Sequence, residues 1–384
     1  MEKIRVGLIG HKFMGRAHTH AYTDLPIFFD IGVDVEKKVL CANEESVKDA
    51  AKRWGWHEAA LDWKDVVNNP DVDLVDIAAP SAIHAEVAIA AAKAGKHVFC
   101  EKPLALTLED AQNMVKAVEE ADVVNMIGFN YRCVPALALA KKLIEEGEIG
   151  EMYHFRGCYQ QGWLVDPNFP LAWRLRKEAA GYGSHGDLGA HVVDIARFLV
   201  GDIEEVTCMQ ETFITERPKP SFEDGLVAIA GDEMGVVDVD DASAWLVRFK
   251  EKKTMGYLEV TRYGMGHRNQ NRIEINGSKG SIIFDMEKMN ELQFFRNSEP
   301  GHIQGFKRIQ LGEGDLHPYM ANWWPAGHII GYGDTFVNQV YNLIMAIKEG
   351  KKASPDFRDG LICQQILEAA DQSAKSRTWV KVPE

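Results

Sequence analysis

Lys3-Ile4-Arg5-Val6-Gly7-Leu8-Ile9-Gly10-His11-Lys12-Phe13-Met14-Gly15 sets an apolar run against a glycine, with a second glycine five residues further on. Lys3–Ile9 has the length and composition of one buried β-strand, and Gly10 ends it. The segment that follows, 14–24, carries a helical pattern, so the stretch reads as strand, tight turn, helix. Gly10, Lys12 and Gly15 fall on the G-x-G-x-x-G spacing of dinucleotide-binding turns, with Lys12 in place of the middle glycine. Gly10 would make the tight turn and Gly15 would let helix and strand pack closely. A pyrophosphate would then sit on the unpaired N–H groups of the helix start, beside Phe13 and Met14. Lys12 gives up the backbone freedom of glycine and offers a cation instead.

Outward from this stretch, strand-like and helix-like segments alternate. Strands are expected at 38–42, 74–78, 97–100 and 123–128, and helices at 44–54, 84–94 and 108–121. Repeated β–α–β units of this size predict a doubly wound parallel sheet, a Rossmann domain over residues 1–127. Ligands of such sheets sit outside the carboxyl ends of the strands. At the end of the second strand, Asn43 with Glu44 beside it stands where ribose hydroxyls are bound. No Arg or Lys adjoins Asn43 in sequence to neutralise a 2′-phosphate, so NAD is favoured over NADP.

The pattern changes over residues 128–384. One more helix is expected at 136–146. Strand-like runs follow at 152–159, 206–215, 243–249, 255–260, 272–275, 281–284 and 292–295. Hairpin-sized spacing predicts an antiparallel sheet with a few helices, an α+β second domain. Two long segments read as irregular. The acidic one, 216–241, carries Pro218 and Pro220 and is expected to be a surface excursion. The aromatic one, 298–333, carries Trp323, Trp324, His328 and Tyr332 and is expected to wall a site or meet another subunit.

Composition excludes several classes. A chain of 384 residues is long enough for two domains. Lys plus Arg number 43 against 57 Asp plus Glu, a net charge of −14, which argues against nucleic acid as a partner. No run approaches the ~20 apolar residues of a membrane span, and the start reads as a strand and not as a signal peptide. Six cysteines are scattered without metal spacing, which favours a reducing, cytoplasmic setting.

Two further elements carry chemistry. Glu101-Lys102-Pro103 closes the strand at 97–100, so Lys102 projects at the binding edge, where an ammonium favours a developing alkoxide. The run Gly183-Ser184-His185-Gly186-Asp187-Leu188-Gly189-Ala190-His191 places Asp187 and His191 at i,i+4, on one helical face, with Asp194 three residues beyond. Three readings of this run stand open. His191 is a general acid/base with Asp187 as its partner; or Ser184 and Asp187 form a capping box; or Asp187, His191 and Asp194 hold a divalent metal.

With these elements joined, the sequence resembles the glucose–fructose oxidoreductase, inositol dehydrogenase and rhizopine-catabolism family (Gfo/Idh/MocA). The resemblance runs through Gly10–Gly15, Ala79-Pro80-Ser81 with His84, Gly95 to Pro103, Gly128-Phe129-Asn130-Tyr131-Arg132, and Asp187 to His191 with Asp194. It implies a Rossmann domain followed by a domain with a large, mostly antiparallel open sheet that often makes the oligomer contact, so a homo-oligomer, dimer or tetramer, is expected. It implies that Ala79, Pro80, Ser81, His84, Glu101, Lys102 and Asn130 adjoin the cofactor. It matches Lys102, Asp187 and His191 to residues acting on a secondary hydroxyl of a sugar or cyclitol, with no metal required. Lys12 and Ser81 depart from the common pattern. Within the family, Gly7 to Gly10 with Phe13 to Gly15, Glu216-Arg217-Pro218, Trp324-Pro325-Ala326 and Gly331-Tyr332-Gly333 are similar to levoglucosan and glycoside 3-dehydrogenases.

A polyol or sugar ligand needs donors, acceptors and an apolar wall. Tyr131, Arg132, Gln160, Gln161, Trp163, Arg174 and His328 are candidates beside Lys102, Asp187 and His191. Two other activities fit the same resemblance: an oxidoreductive NAD-dependent glycosidase with no net redox change, and a non-enzymatic NAD-binding sensor.

Overall fold

The computed structural model describes residues 3–224 and 227–383. Strands are β1 (Lys3–Ile9), β2 (Asp34–Cys41), β3 (Glu58–Ala60), β4 (Leu74–Ile77), β5 (His97–Cys100), β6 (Asn125–Ile127), β7 (Met152–Gln160), β8 (Ile203–Glu211), β9 (Glu216–Asp224), β10 (Val227–Val236), β11 (Ala242–Phe249), β12 (Met255–Thr261), β13 (Gln270–Gly277), β14 (Gly280–Asp285), β15 (Glu291–Arg296), β16 (Lys307–Gln310) and β17 (Val380–Lys381). Helices are α1 (Phe13–Phe28), α2 (Ser46–Trp54), α3 (Trp63–Val67), α4 (His84–Lys93), α5 (Leu108–Glu120), α6 (Pro135–Glu145), α7 (Lys177–Ala180), α8 (Ser184–Asp187), α9 (Gly189–Leu199), α10 (Tyr332–Glu349) and α11 (Phe357–Ser376).

The chain divides into two units: Met1–Asn130 with Tyr332–Gln364, and Tyr131–Gly331 with Gln365–Glu384. Residues 332–364, placed in the second domain by the expected boundary at 127, thus return to the first. The reason is visible in their contacts. α10 lies along α1, with the Phe29 and Tyr341 rings 4.5 Å apart, and Gln339 donates to the Ile127 carbonyl at 2.8 Å.

The first unit holds a six-stranded parallel sheet in the order β3-β2-β1-β4-β5-β6. Its central strands are covered on both faces, and all four residues of β4 are buried, which explains their unbroken apolar runs. The order reverses between β1 and β4. Ala78 N–H donates to the Ile9 carbonyl at 2.8 Å there, so the ends of these two strands flank the switch point where ligands of such sheets bind.

The second unit holds a nine-stranded sheet, β16-β15-β14-β13-β7-β12-β11-β8-β17, in which only the β7–β12 pairing is parallel. Burial alternates along β11 and β12, as it must when one face is packed and the other open. Trp245, Val247 and Phe249 point inward; Leu246 points outward. α9 lies close over β7, where a Cβ on Gly157 would come within 2.7 Å of Val192. The open face carries Met209, Leu246, Met255 and Tyr257, all exposed.

Segment 216–241 is not irregular: β9 and β10 pair as a two-stranded antiparallel ribbon. Its prolines sit opposite Met234 and Ala230, at register shifts of a ribbon whose outer edges need no N–H donor. Nor is it all surface, because Arg217 is fully buried. Segment 298–333 is mainly turns, with the short strand β16 inside it. Among the described residues no helix is long and apolar enough to cross a membrane.

Candidate active site

The cofactor side is built on the first unit's strand ends. Gly10 has φ +110°, and a Cβ there would meet the Ala78 carbonyl. A Cβ on Gly15 would collide with the Gly10 carbonyl. Both glycines are therefore required by close backbone approach. The middle position has no such need. Lys12 has φ −81° and ψ −144°, outside the left-handed region that favours glycine, so a side chain is accepted there. α1 begins with no side-chain cap and no acidic residue in its first turn, so its leading N–H groups suit a phosphate. Phe13 is exposed, 6.3 Å from the Tyr332 ring.

Lys12 also alters the picture at the end of β2. Its ammonium is 2.7 Å from Glu44 and holds that carboxyl below its usual range. The His11 ring is 2.9 Å from Ser46 Oγ. A basic residue thus does lie beside the β2 end, although sequence adjacency shows none, and a carboxylate neutralises it. Asn43 is exposed next to this pair. An acidic group where ribose hydroxyls bind suits NAD better than a 2′-phosphate. Taken together, the glycine turn, the uncapped helix start and Glu44 fit a dinucleotide.

The loops after β4 and β5 are joined by His84. This ring is buried, with Nε2 2.9 Å from the Ala79 carbonyl and Nδ1 3.0 Å from that of Pro103. Burial, opposed by those carbonyls and Glu101, pushes its pKa down. The imidazole therefore packs behind both loops, between the Ala79 and Pro103 carbonyls, and its single N–H donates to one of them. Glu101 is buried and accepts the Lys102 N–H at 3.1 Å. Gly128 leaves room for it, since a Cβ there would come within 2.6 Å of the carboxylate. Asn130 donates to Thr335 Oγ1 at 2.8 Å.

In the second unit the Asp187–His191 segment is two short helices, α8 and α9, meeting at Leu188. The capping-box reading fails. Gly183 is the N-cap of α8, and Ser184 instead donates its hydroxyl to Asp240 at 2.6 Å. Asp240 also accepts the N–H groups of Gly183 and His185, at 2.9 and 2.7 Å, and so caps the helix from a distant strand end. Asp187 is ion-paired with Arg262 at 2.8 Å. The carboxylate of Asp194 is taken up by Arg132, at 2.5–3.0 Å.

His191 stacks on Tyr131, ring centroids 4.4 Å apart. A polar chain leads away from this stack. The Tyr131 and Tyr159 hydroxyls are 2.8 Å apart, and Tyr159 donates to Asn269 Oδ1 at 2.7 Å. Gln161 donates to the same oxygen at 2.8 Å, and Trp163 Nε1 donates to Gln161 at 2.7 Å. Arg262 lies 5.7 Å from the Trp163 ring and donates to the Arg174 carbonyl at 3.3 Å. Arg174 is partly buried, and that desolvation pushes its pKa down against the pull of Asp187.

Of the expected substrate residues, Tyr131, Gln161, Trp163, Arg174, Asp187 and His191 therefore belong to one set of linked groups. Gln160 lies one residue from Tyr159 and points to the opposite face, where it meets Glu259 at 3.4 Å. His328 turns back on the Pro325 carbonyl of its own loop at 2.9 Å. Tyr159, Arg262 and Asn269 were missed. For Tyr159 a signal existed, since strand alternation places it on the Phe155 face. Arg217 was also missed. It donates to the Leu164 and Asp166 carbonyls and to Tyr263, and so fixes the loop after Trp163.

Residues 4–129 match the family model of an oxidoreductase family with an NAD-binding Rossmann fold, and residues 137–283 match the GFO/IDH/MocA C-terminal domain. The chain is 44% identical over 390 residues to levoglucosan dehydrogenase from Pseudarthrobacter phenanthrenivorans, covering 100% of this chain and 99% of that protein. It is similar to the solved structure of an oxidoreductase domain protein from Kribbella flavida, with 47% identity, a TM-score of 0.95 and 100% of each chain covered. It is likewise similar to levoglucosan dehydrogenase in complex with NADH and levoglucosan, with 42% identity, a TM-score of 0.93 and 99% of each chain covered.

Proposed function

Because the chain belongs to the Gfo/Idh/MocA oxidoreductase family, we propose that it is an NAD-dependent dehydrogenase oxidising a ring secondary hydroxyl of an anhydrosugar or glycoside of the levoglucosan type. One observation carries the substrate class: His191 is stacked on Tyr131 within a chain of neutral donors and acceptors, Tyr159, Asn269, Gln161 and Trp163. Such a lining suits many hydroxyl groups and an apolar sugar face. The 44% identity to levoglucosan dehydrogenase supports the same class.

When bound, the nicotinamide supplies the hydride acceptor. The residues of this chain do the rest. Lys102 stabilises negative charge on the carbinol oxygen as its proton leaves. His191 accepts that proton, in a ring orientation already set by the stack on Tyr131. Asp187, held by Arg262, orients a substrate hydroxyl. Within its own unit, each segment is held before substrate arrives: Glu101 accepts the Lys102 N–H, and Tyr131 stacks on His191.

We also propose a homo-oligomer formed through the open sheet face, whose exposed Met209, Leu246, Met255 and Tyr257 make an apolar surface. Six free thiols support a reducing compartment, the cytoplasm.

The functional test is NADH absorbance over a panel of anhydrosugars, glucosides, aldoses and inositols, with NAD and NADP compared. Net NADH with levoglucosan-type substrates is the expected outcome. A free sugar released without net NADH would assign an oxidoreductive glycosidase. Tight NAD binding with no turnover on any member would assign a sensor.

A further inference from the structure

Behind the loop that carries Lys102 lies a buried ionic cluster that the mechanism above does not use. His18 of α1 is fully buried, as is Asp76 of β4, and Glu101 at the end of β5 is nearly so. His18 Nδ1 is 2.9 Å from both Asp76 oxygens. Its Nε2 is 3.0 Å from Glu101 Oε1. Tyr22, one helical turn on, donates its hydroxyl to Asp76 at 2.8 Å. The Phe99 ring stacks on the imidazole at 4.8 Å, and Phe336 of α10 lies 5.5 Å away on a tilt.

A carboxylate only accepts hydrogen bonds, and here one faces each ring nitrogen. Neutral imidazole has a single N–H and would turn a lone pair toward one of the two oxygens. Imidazolium satisfies both. Burial alone opposes that charge, but Asp76 and then Glu101 outweigh it, and the His18 pKa is pushed up to about 10. The ring is therefore charged throughout the neutral range.

What this charge holds in place is Glu101. Oε1 of that carboxylate accepts from His18, and Oε2 accepts the backbone N–H of Lys102 at 3.1 Å. We infer that His18 is a positioning residue for hydride transfer: anchored on Asp76, its imidazolium clamps Glu101 against the Lys102 peptide N–H, and so fixes where the Lys102 side chain originates. The inference rests on the role proposed for Lys102. It adds a residue that touches neither substrate nor cofactor, and a reason why the residue before Lys102 is acidic.

The test compares the full-length wild type with His18→Gln and with His18→Gln/Glu101→Gln. His18→Gln should lower kcat by up to about 10²-fold. The Kd for NAD should change little, because the Gly10–Gly15 turn is untouched. The kcat profile against pH should gain an ionisation that the wild type lacks, because two buried carboxylates have lost their cation. The double variant removes one of those charges yet keeps an acceptor for the Lys102 N–H, and should recover part of kcat. A merely structural histidine would lower Tm in both variants and leave kcat per folded molecule unchanged, and that result would overturn the inference. Nitrogen-15 NMR of the wild-type histidines tests the clamp without any turnover. Both ring nitrogens of His18 should be protonated at about pH 8, and a bare Nε2, with the proton on Glu101, would equally overturn it. If the wild type oxidises no sugar of the panel, the functional reading fails on that assay. The NMR result and the exchange rate of the Lys102 amide, faster in His18→Gln if the clamp is real, then still decide the clamp.

Discussion

Buried charge is handled differently in the two units. In the first, one imidazole between two carboxylates supports a backbone segment at the strand ends. In the second, two arginines each take one acid of the α8–α9 segment: Arg262 holds Asp187, and Arg132 holds Asp194. The first arrangement places a loop, whereas the second fixes individual side chains on a helix. Arginine is suited to the second task, since its guanidinium fork meets a carboxylate on two atoms. The cofactor side is thus made rigid through main chain and the substrate side through side chains. Substitutions on the substrate side should therefore alter specificity with less damage to the fold.

The largest effect tests the substrate side directly. His191→Ala should reduce turnover by about 10²–10⁴-fold, the usual worth of a positioned acid–base group, while titration with NAD gives an unchanged Kd. Retention of more than half the activity would remove His191 from the proton-transfer role. Next comes its neighbour's support. Arg262→Met leaves Asp187 without its cation and should cost about 1–3 kcal/mol in chemical denaturation. It should also raise KM for sugar more than it lowers kcat. Arg262→Met in an Asp187→Asn background should recover stability but not KM.

On the cofactor side the contrast appears as pH dependence. His18 carries a pKa of about 10 in the folded protein against ~6.5 in an unfolded chain. The folded form binds that proton more tightly. Its contribution to stability is therefore complete below pH ~6.5 and is lost as pH rises through about 10. Urea midpoints should fall between neutral and alkaline pH in the wild type, and the fall should be shallower in His18→Gln. The smallest effect separates two neighbours at the end of β7, Gln160 and Gln161. Gln161→Ala breaks the chain from Trp163 to Asn269 and should raise KM several-fold, whereas Gln160→Ala, on the face opposite Tyr159, should leave KM within about twofold.

How much of this was legible in the sequence differs between the units for a physical reason. In a parallel doubly wound sheet every strand ends at the same edge. Once Lys3–Gly15 is read as strand, turn and helix, the residues after each strand converge without any knowledge of contacts. Gly10, Ala79 and Lys102 are found in that way. Antiparallel strands end alternately at both edges, so no such rule locates Arg262 or Asn269. Their partners lie 75 and 138 positions away, at Asp187 and Tyr131. The same blindness produced the capping box, because Ser184 has a plausible local partner in sequence and a better one, Asp240, 56 positions on. Proline and acid content made 216–241 look irregular, although a two-stranded ribbon tolerates both.

The most direct measurement follows the transferred hydrogen itself. A levoglucosan-type sugar carrying deuterium at every ring carbon, incubated with NAD and enzyme in ordinary water, should yield reduced coenzyme containing one deuterium by mass spectrometry. Sugar consumed while the reduced coenzyme carries only ordinary hydrogen, or while no reduced coenzyme forms, would contradict direct hydride transfer from a carbinol carbon.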